Sequence, residues 1–115
     1  MQYHGSCHCG QVSFNVDIDL SSPITCNCSY CSRRGNILAF TPAEKFQLEK
    51  GEDKLTEYRF NTGKIEHLFC SVCGMESFSR GSLPDGTKMV AINVRCLEGV
   101  DLDSLQPKQF DGRSR

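Results

Sequence analysis

Apolar and polar positions alternate cleanly over residues 11–18. Val12, Phe14, Val16 and Ile18 face one way, and Ser13, Asn15 and Asp17 the other, which predicts a half-buried strand. A polar turn over 19–23 follows, and then a cysteine-rich segment. Residues 36–40 form a short apolar run read as the strand leaving that segment. Thr41-Pro42-Ala43-Glu44 has capping-box spacing with Pro at the first helical position, but Phe46, Leu48 and Lys50 return to period two, so at most one helical turn fits. Gly51-Glu52-Asp53 reads as a turn, and 55–60, rich in Thr and aromatics, as another strand. Asn61-Thr62-Gly63 predicts a hairpin turn, after which Ile65, His67 and Phe69 share one face of a strand entering Cys70. Phe78 marks a short strand and Pro84-Asp85-Gly86 a turn. Residues 89–94, nearly all apolar, suit a strand covered on both faces. Residues 97–105 offer at most one irregular turn, and 106–115 are polar, with a loose tail expected beyond Phe110.

Short strands at short spacing, with no long helical period, predict an all-β fold with little or no helix. A length of 115 residues predicts a single domain over 1–115, its core at about 5–105. The core is modest, with seven Phe, three Tyr and no Trp. No apolar run nears the ~18 residues of a membrane span, so no membrane partner is expected. Met1-Gln2-Tyr3-His4-Gly5 lacks the charged and apolar regions of a secretory leader, which sets the expectation of a cytoplasmic protein. The formal charge of −1 gives no electrostatic footprint for nucleic acid.

Eight cysteines change the picture. An even number invites a disulfide framework, but seven of them come in tight groups: Cys7 and Cys9; Cys26, Cys28 and Cys31; Cys70 and Cys73. A C-x-C or C-x-x-C pair makes an awkward small disulfide ring and a natural chelate for one soft cation. A thioredoxin-like redox pair would need a βαβ context that is not visible here. Cys7 and Cys9, two apart on a strand, would offer two sulfurs to one ion. Cys70-x-x-Cys73-Gly74 resembles a zinc knuckle, the Gly permitting a positive φ. Together these make a closed structural Cys₄ site. Cys26, Cys28 and Cys31 provide three sulfurs and leave a coordination position open, the arrangement of a catalytic-type zinc. Cys96, His67 or His8 could close that site instead. Arg33 and Arg34 could orient an anionic substrate or be solvated surface charges. Starting from −1, seven thiolates and two Zn²⁺ ions would leave about −4, further from a nucleic-acid binder.

These residues resemble a known family. Gly5-Ser6-Cys7-His8-Cys9-Gly10, Cys26-Asn27-Cys28-Ser29-x-Cys31, His67-Leu68-Phe69-Cys70-x-x-Cys73-Gly74 and Asn93-Val94-Arg95-Cys96-Leu97-Glu98 look like the glutathione-dependent formaldehyde-activating enzymes, also called CENP-V/GFA domains. The resemblance runs from about Gly5 to Asp101. It implies bent antiparallel sheets around zinc, a β-tent. It implies two zinc ions per chain: a structural one on Cys7, Cys9, Cys70 and Cys73, and a catalytic-type one on Cys26, Cys28 and Cys31. It further implies carbon–sulfur lyase activity on a small thiol or aldehyde substrate, with glutathione and formaldehyde giving S-hydroxymethylglutathione. Tyr30 and His67 are candidate proton-transfer groups. The chain is a minimal version, shorter than members named for glutathione, so a non-catalytic zinc-stabilised protein-binding module is the rival expectation.

Overall fold

The computed structural model describes residues 1–60 and 63–114. The chain opens with β1 (Gln2–Ser6), paired antiparallel along its whole length with β2 (Ser13–Asp17). The alternating run thus forms its strand, but its partner was not legible as one. In β1, Gly5 lies opposite Phe14, and a Cβ there would stand 2.5 Å from the Phe14 ring, so the position that should complete an apolar alternation must be empty.

Next come β3 (Ile24–Cys26), one short helix α1 (Ser29–Arg34) and β4 (Leu38–Pro42). The capping box expected at Thr41 does not form. The Thr41 hydroxyl donates to the Asp17 carbonyl at 3.0 Å, Pro42 ends β4, and only a 3₁₀ turn follows before β5 (Phe46–Lys50). Then β6 (Leu55–Tyr58), β7 (Glu66–Cys70), β8 (Phe78–Ser82) and β9 (Lys88–Asn93) pair in sequence as an antiparallel meander. The turn expected at Asn61-Thr62-Gly63 lies outside the described residues except for Gly63, whose N–H donates to the Phe60 carbonyl at 3.0 Å. Finally, β10 (Lys108–Phe110) runs parallel to β3, placing Phe110 opposite Cys26. The polar end of the chain, in which no strand was legible from the residues, thus contributes one that ends at Phe110, where the loose tail was expected to begin.

Two open sheets result, ordered β1-β2-β5 and β10-β3-β4-β9-β8-β7-β6. All described pairings are antiparallel except β10 with β3, so the all-β expectation holds with one mixed edge. The core lies between the sheets. Phe14 of the small sheet meets Phe46 at 5.1 Å and the edge of Phe78 at 5.7 Å, and Val12, Val16, Val90 and Ile92 fill around them. Strand β9 is covered on one face only. Val90 and Ile92 are buried in the core, whereas Met89 and Ala91 stay half-buried on the opposite face. That open face matters below. No helix among the described residues is long and apolar enough to cross a membrane.

Candidate metal centre

Two turns of like construction bring four sulfurs together. In the first, β1 stops at Ser6, the Cys7 N–H donates to the Val12 carbonyl at 3.0 Å, and Gly10 takes φ 81°. In the second, the Cys70 N–H donates to the Met75 carbonyl at 3.0 Å, and Gly74 takes the same φ. Each glycine adopts a left-handed conformation that strains other residues, and each turn curls its backbone around a sulfur. The Val12 N–H, for instance, points at Cys7 Sγ at 3.4 Å. Cys7 and Cys9 therefore converge from a turn, not from the strand that their spacing suggested.

The Cys7 and Cys9 sulfurs are 3.6 Å apart, and those of Cys9 and Cys70 are 3.7 Å apart. All four, Cys73 included, lie within 4.8 Å of one another. A tetrahedral ion with Zn–S bonds of ~2.3 Å requires sulfurs about 3.8 Å apart. A disulfide requires ~2.05 Å. The spacing fits the ion, and all eight cysteines are free thiols.

Packing four sulfurs this closely splits their proton affinities. Burial opposes ionisation of Cys73, but backbone N–H groups of Cys9 and Met75 and the Cys7 and Cys70 thiols outweigh it and hold the pKa at about 6. Cys9 moves the other way, to about 11. The Gln11 backbone N–H lowers it, yet desolvation and the three neighbouring thiols together win. Cys73 is thus a thiolate at neutral pH, and a cation bound by Cys9 must displace its proton.

The second cluster sits where β3 meets α1. Cys26, Cys28 and Cys31 bring three sulfurs within 4.8 Å, and among the described residues no fourth Cys, His, Asp or Glu joins them. Cys28 is the helix N-cap, its Sγ accepting the Cys31 N–H at 3.3 Å. Burial pushes the Cys28 thiol up, but the Cys31 N–H, the Cys31 and Cys26 thiols and the Tyr30 N–H turn the net shift downward. Cys31 is pushed far up, first by burial and then by Cys28 and Cys26. A Cys28 thiol shifted toward its thiolate beside a Cys31 thiol shifted the other way again suits a thiophilic cation. Of the residues that could have closed this site, Cys96 lies against the other cluster. Burial first, and then the charges of Cys7, Cys73 and Glu76, raise its pKa to about 11. His8 is exposed, and buried His67 faces Glu76, its Nδ1 3.2 Å from Oε1.

Two features of this cluster were not legible in the sequence. The first is a buried polar network. Glu76, 4% exposed, accepts from Asn36 Nδ2 at 3.1 Å and pairs with His67, and the Asn93 amide donates to the Asn36 side chain at 3.2 Å and to the Glu76 carbonyl at 3.1 Å. The Tyr30 hydroxyl also reaches Glu76, and its ring packs against that of His67, centroids 4.4 Å apart and planes tilted by 44°. Burial, then the Glu76 charge, raises the Tyr30 pKa and keeps it protonated. Arg34 extends this network. Its Nε donates to the Tyr30 hydroxyl at 3.1 Å and its Nη1 to the Gly74 carbonyl at 2.9 Å, tying α1 to the other cluster's turn. Arg33 donates to the Ser29 carbonyl at 2.7 Å and stays exposed.

The second feature is the C-terminal segment. Asn27, between two of the cysteines, accepts the Arg113 N–H at 2.8 Å and donates to Asp111 at 3.1 Å, while its own N–H donates to the Phe110 carbonyl at 3.1 Å. Gly112 is thereby held so close to Cys26 that a Cβ on it would stand 2.5 Å from Sγ.

A groove of about 490 Å³ opens beside the three sulfurs, with Cys26 and Cys31 in its wall. A protein of Rhodobacter sphaeroides known from a crystal structure has a similar fold, with a TM-score of 0.83 and 31% identity over 93% of this chain and 99% of its own. Residues 2–110, a span holding both sulfur clusters and every strand that carries them, match the family described as glutathione-dependent formaldehyde-activating enzyme, and the chain belongs to that family.

Proposed function

We propose that the protein is a carbon–sulfur lyase that adds a thiol to a small aldehyde and reverses that addition, at a zinc ion held by Cys26, Cys28 and Cys31. The reading gives Cys7, Cys9, Cys70 and Cys73 a second, structural zinc. The observation that carries it is the contrast between the clusters, four convergent sulfurs in one and three beside an open groove in the other. A zinc ion held by three thiolates supplies a Lewis acid with one exchangeable position, which lowers the pKa of an incoming thiol.

In the addition the thiol loses its proton, a C–S bond forms at the carbonyl carbon, and the carbonyl oxygen takes up a proton. R–SH and H₂C=O give R–S–CH₂OH with no redox change. The chain's own contribution is to fix the three sulfurs. The α1 N-terminus holds Cys28, the β3–β10 pair holds Cys26, and the Arg34–Tyr30–Glu76 chain anchors the helix between them. Tyr30 and His67 act here as positioning residues, since the Tyr30 hydroxyl is engaged by Arg34 and Glu76 and the His67 Nδ1 by Glu76. Cysteine ligands need a reducing compartment, which supports a cytoplasmic location.

Glutathione with formaldehyde is the first pair to assay, with adduct formation and exchange followed by NMR. The zinc-loaded protein is expected to accelerate exchange. Cys28→Ala should abolish the acceleration while the four-sulfur cluster keeps its metal. Equal rates for the two proteins, with glutathione and with an alkanethiol alike, would remove the proposed role.

A second reading has an observation in its favour. Phe40, Ile65 and Leu83, at the groove, are 49%, 50% and 46% exposed, as a non-catalytic zinc-stabilised protein-binding module would show. That module would bind a partner through this face and leave exchange rates unchanged.

A further inference from the structure

The groove beside the three-sulfur cluster has a chemical character of its own. Its floor is the open face of the large sheet. Register places Phe40 opposite Ala91, and Ala91 opposite Ser79, so these side chains share one face. Met89 and Gly81 follow on that face two residues along. The centre of the floor is small (Ala91, Ser79, Gly81), and larger apolar residues rise around it: Leu38, Phe40, Ile65 and Phe110. Ile65 leans over Gly81, its Cγ1 3.8 Å from where a Cβ would be. The result is a trough with apolar walls, and Cys26 and Cys31 stand at it.

The described residues that line the trough offer little charge to a ligand. Among the described residues, Arg80 is the only charged one that borders it. Arg80 pairs in register with Val90, a core residue, so its side chain leaves from the other face of the sheet. Its guanidinium lies 5.4 Å over the Phe78 ring and 3.7 Å from Glu52. Glutathione carries two carboxylates and an ammonium, and among the described residues nothing in this trough pairs with them. An unpaired charge moved from water into such a place is strongly disfavoured.

We propose that the thiol partner of this protein carries an apolar substituent, an alkyl or aryl group that lies in the trough while its sulfur reaches the three-cysteine cluster. The inference rests on the reading of that cluster as a thiol-accepting zinc site and specifies its substrate class. The reaction keeps the balance given above, with the apolar group as R. Each methylene buried in the trough should tighten binding about three- to fourfold.

The test is a calorimetric binding titration of the zinc-loaded full chain with ethanethiol, butanethiol, hexanethiol and glutathione. Affinity is expected to climb about threefold per methylene up the alkyl series, with hexanethiol binding far more tightly than glutathione. Phe40→Ser and Met89→Ser, both on the open face, should shrink the gain per methylene. Their thermal transitions report whether each variant is folded. A flat alkyl series, or glutathione binding as tightly as hexanethiol, overturns the inference while the zinc–thiol reading stands. Binding of none of the thiols removes both. Sedimentation of the same samples covers the remaining case: a self-associated protein whose buried trough excludes hexanethiol also overturns the inference.

Discussion

At the scale of single residues, the three-sulfur cluster depends on an absence. Gly112 approaches Cys26 so closely that an added methyl would sit 2.5 Å from Sγ, and the opposing atom is a candidate metal ligand that cannot swing away freely. Gly112→Ala should therefore push the tail off the cluster. The expected result is zinc affinity at this cluster reduced about tenfold, a loss of about 1.4 kcal/mol. The four-sulfur cluster should be untouched, which competition with a chromogenic chelator would resolve as one weakened site of two. Glu76 offers a different residue-scale test. Its carboxylate is engaged by Asn36, His67 and Tyr30 inside the protein. Glu76→Ala strands those groups without partners and should cost about 2–4 kcal/mol in denaturant unfolding. Glu76→Gln keeps an acceptor and should cost less. Equal losses for the two variants would show that an amide cannot replace the carboxylate in this network.

At the scale of elements, legibility followed the local signal. Strand β2 announced itself because half-burial and period two coincide, and the two cysteine turns did so because their sulfurs recur at chelate spacing. Strand β1 did not, since its register sets a glycine against the Phe14 ring. Helix α1 has six residues and no buried apolar stripe, so no hydrophobic period could reveal it. It exists because Cys28 caps it and Arg34 moors it to Gly74. Strand β10 consists of exposed residues whose pairing is entirely non-local. The candidate ligands were thus legible, but the scaffold that aims them was not. A chain truncated after Gln106 should accordingly stay folded, because the core it leaves behind is complete without residues 107–115. It should lose zinc from the three-sulfur cluster selectively. Circular dichroism together with metal stoichiometry would check this, and retention of two ions would show that β10 merely decorates the edge.

At the scale of the whole molecule, a metal on the four-sulfur cluster would close the two sheets by chemistry as well as by packing. Cys7 and Cys9 follow the first strand of the small sheet, while Cys70 ends β7 of the large one, so a metal on the four-sulfur cluster pins one sheet to the other. Binding of a structural zinc supplies on the order of 10–16 kcal/mol, against a net domain stability of ~5–15 kcal/mol. Removing that ion should therefore unfold the chain and not merely inactivate it. The pH dependence follows from the thiols. Cys73, held at about 6, keeps its thiolate through neutral pH and gains a proton only as pH falls through that value, while Cys9, at about 11, carries a proton that metal must displace. Both proton equilibria act in one direction: acid favours release and alkali favours uptake. Zinc affinity at the four-sulfur cluster should fall slowly from pH 8 to 6 and then more steeply once Cys73 also competes. The melting temperature of the zinc-loaded protein should drop over the same interval. A melting temperature unchanged from pH 8 to 5, or one indifferent to a strong chelator, would mean that the Phe14–Phe46–Phe78 core holds the sheets without help from the metal.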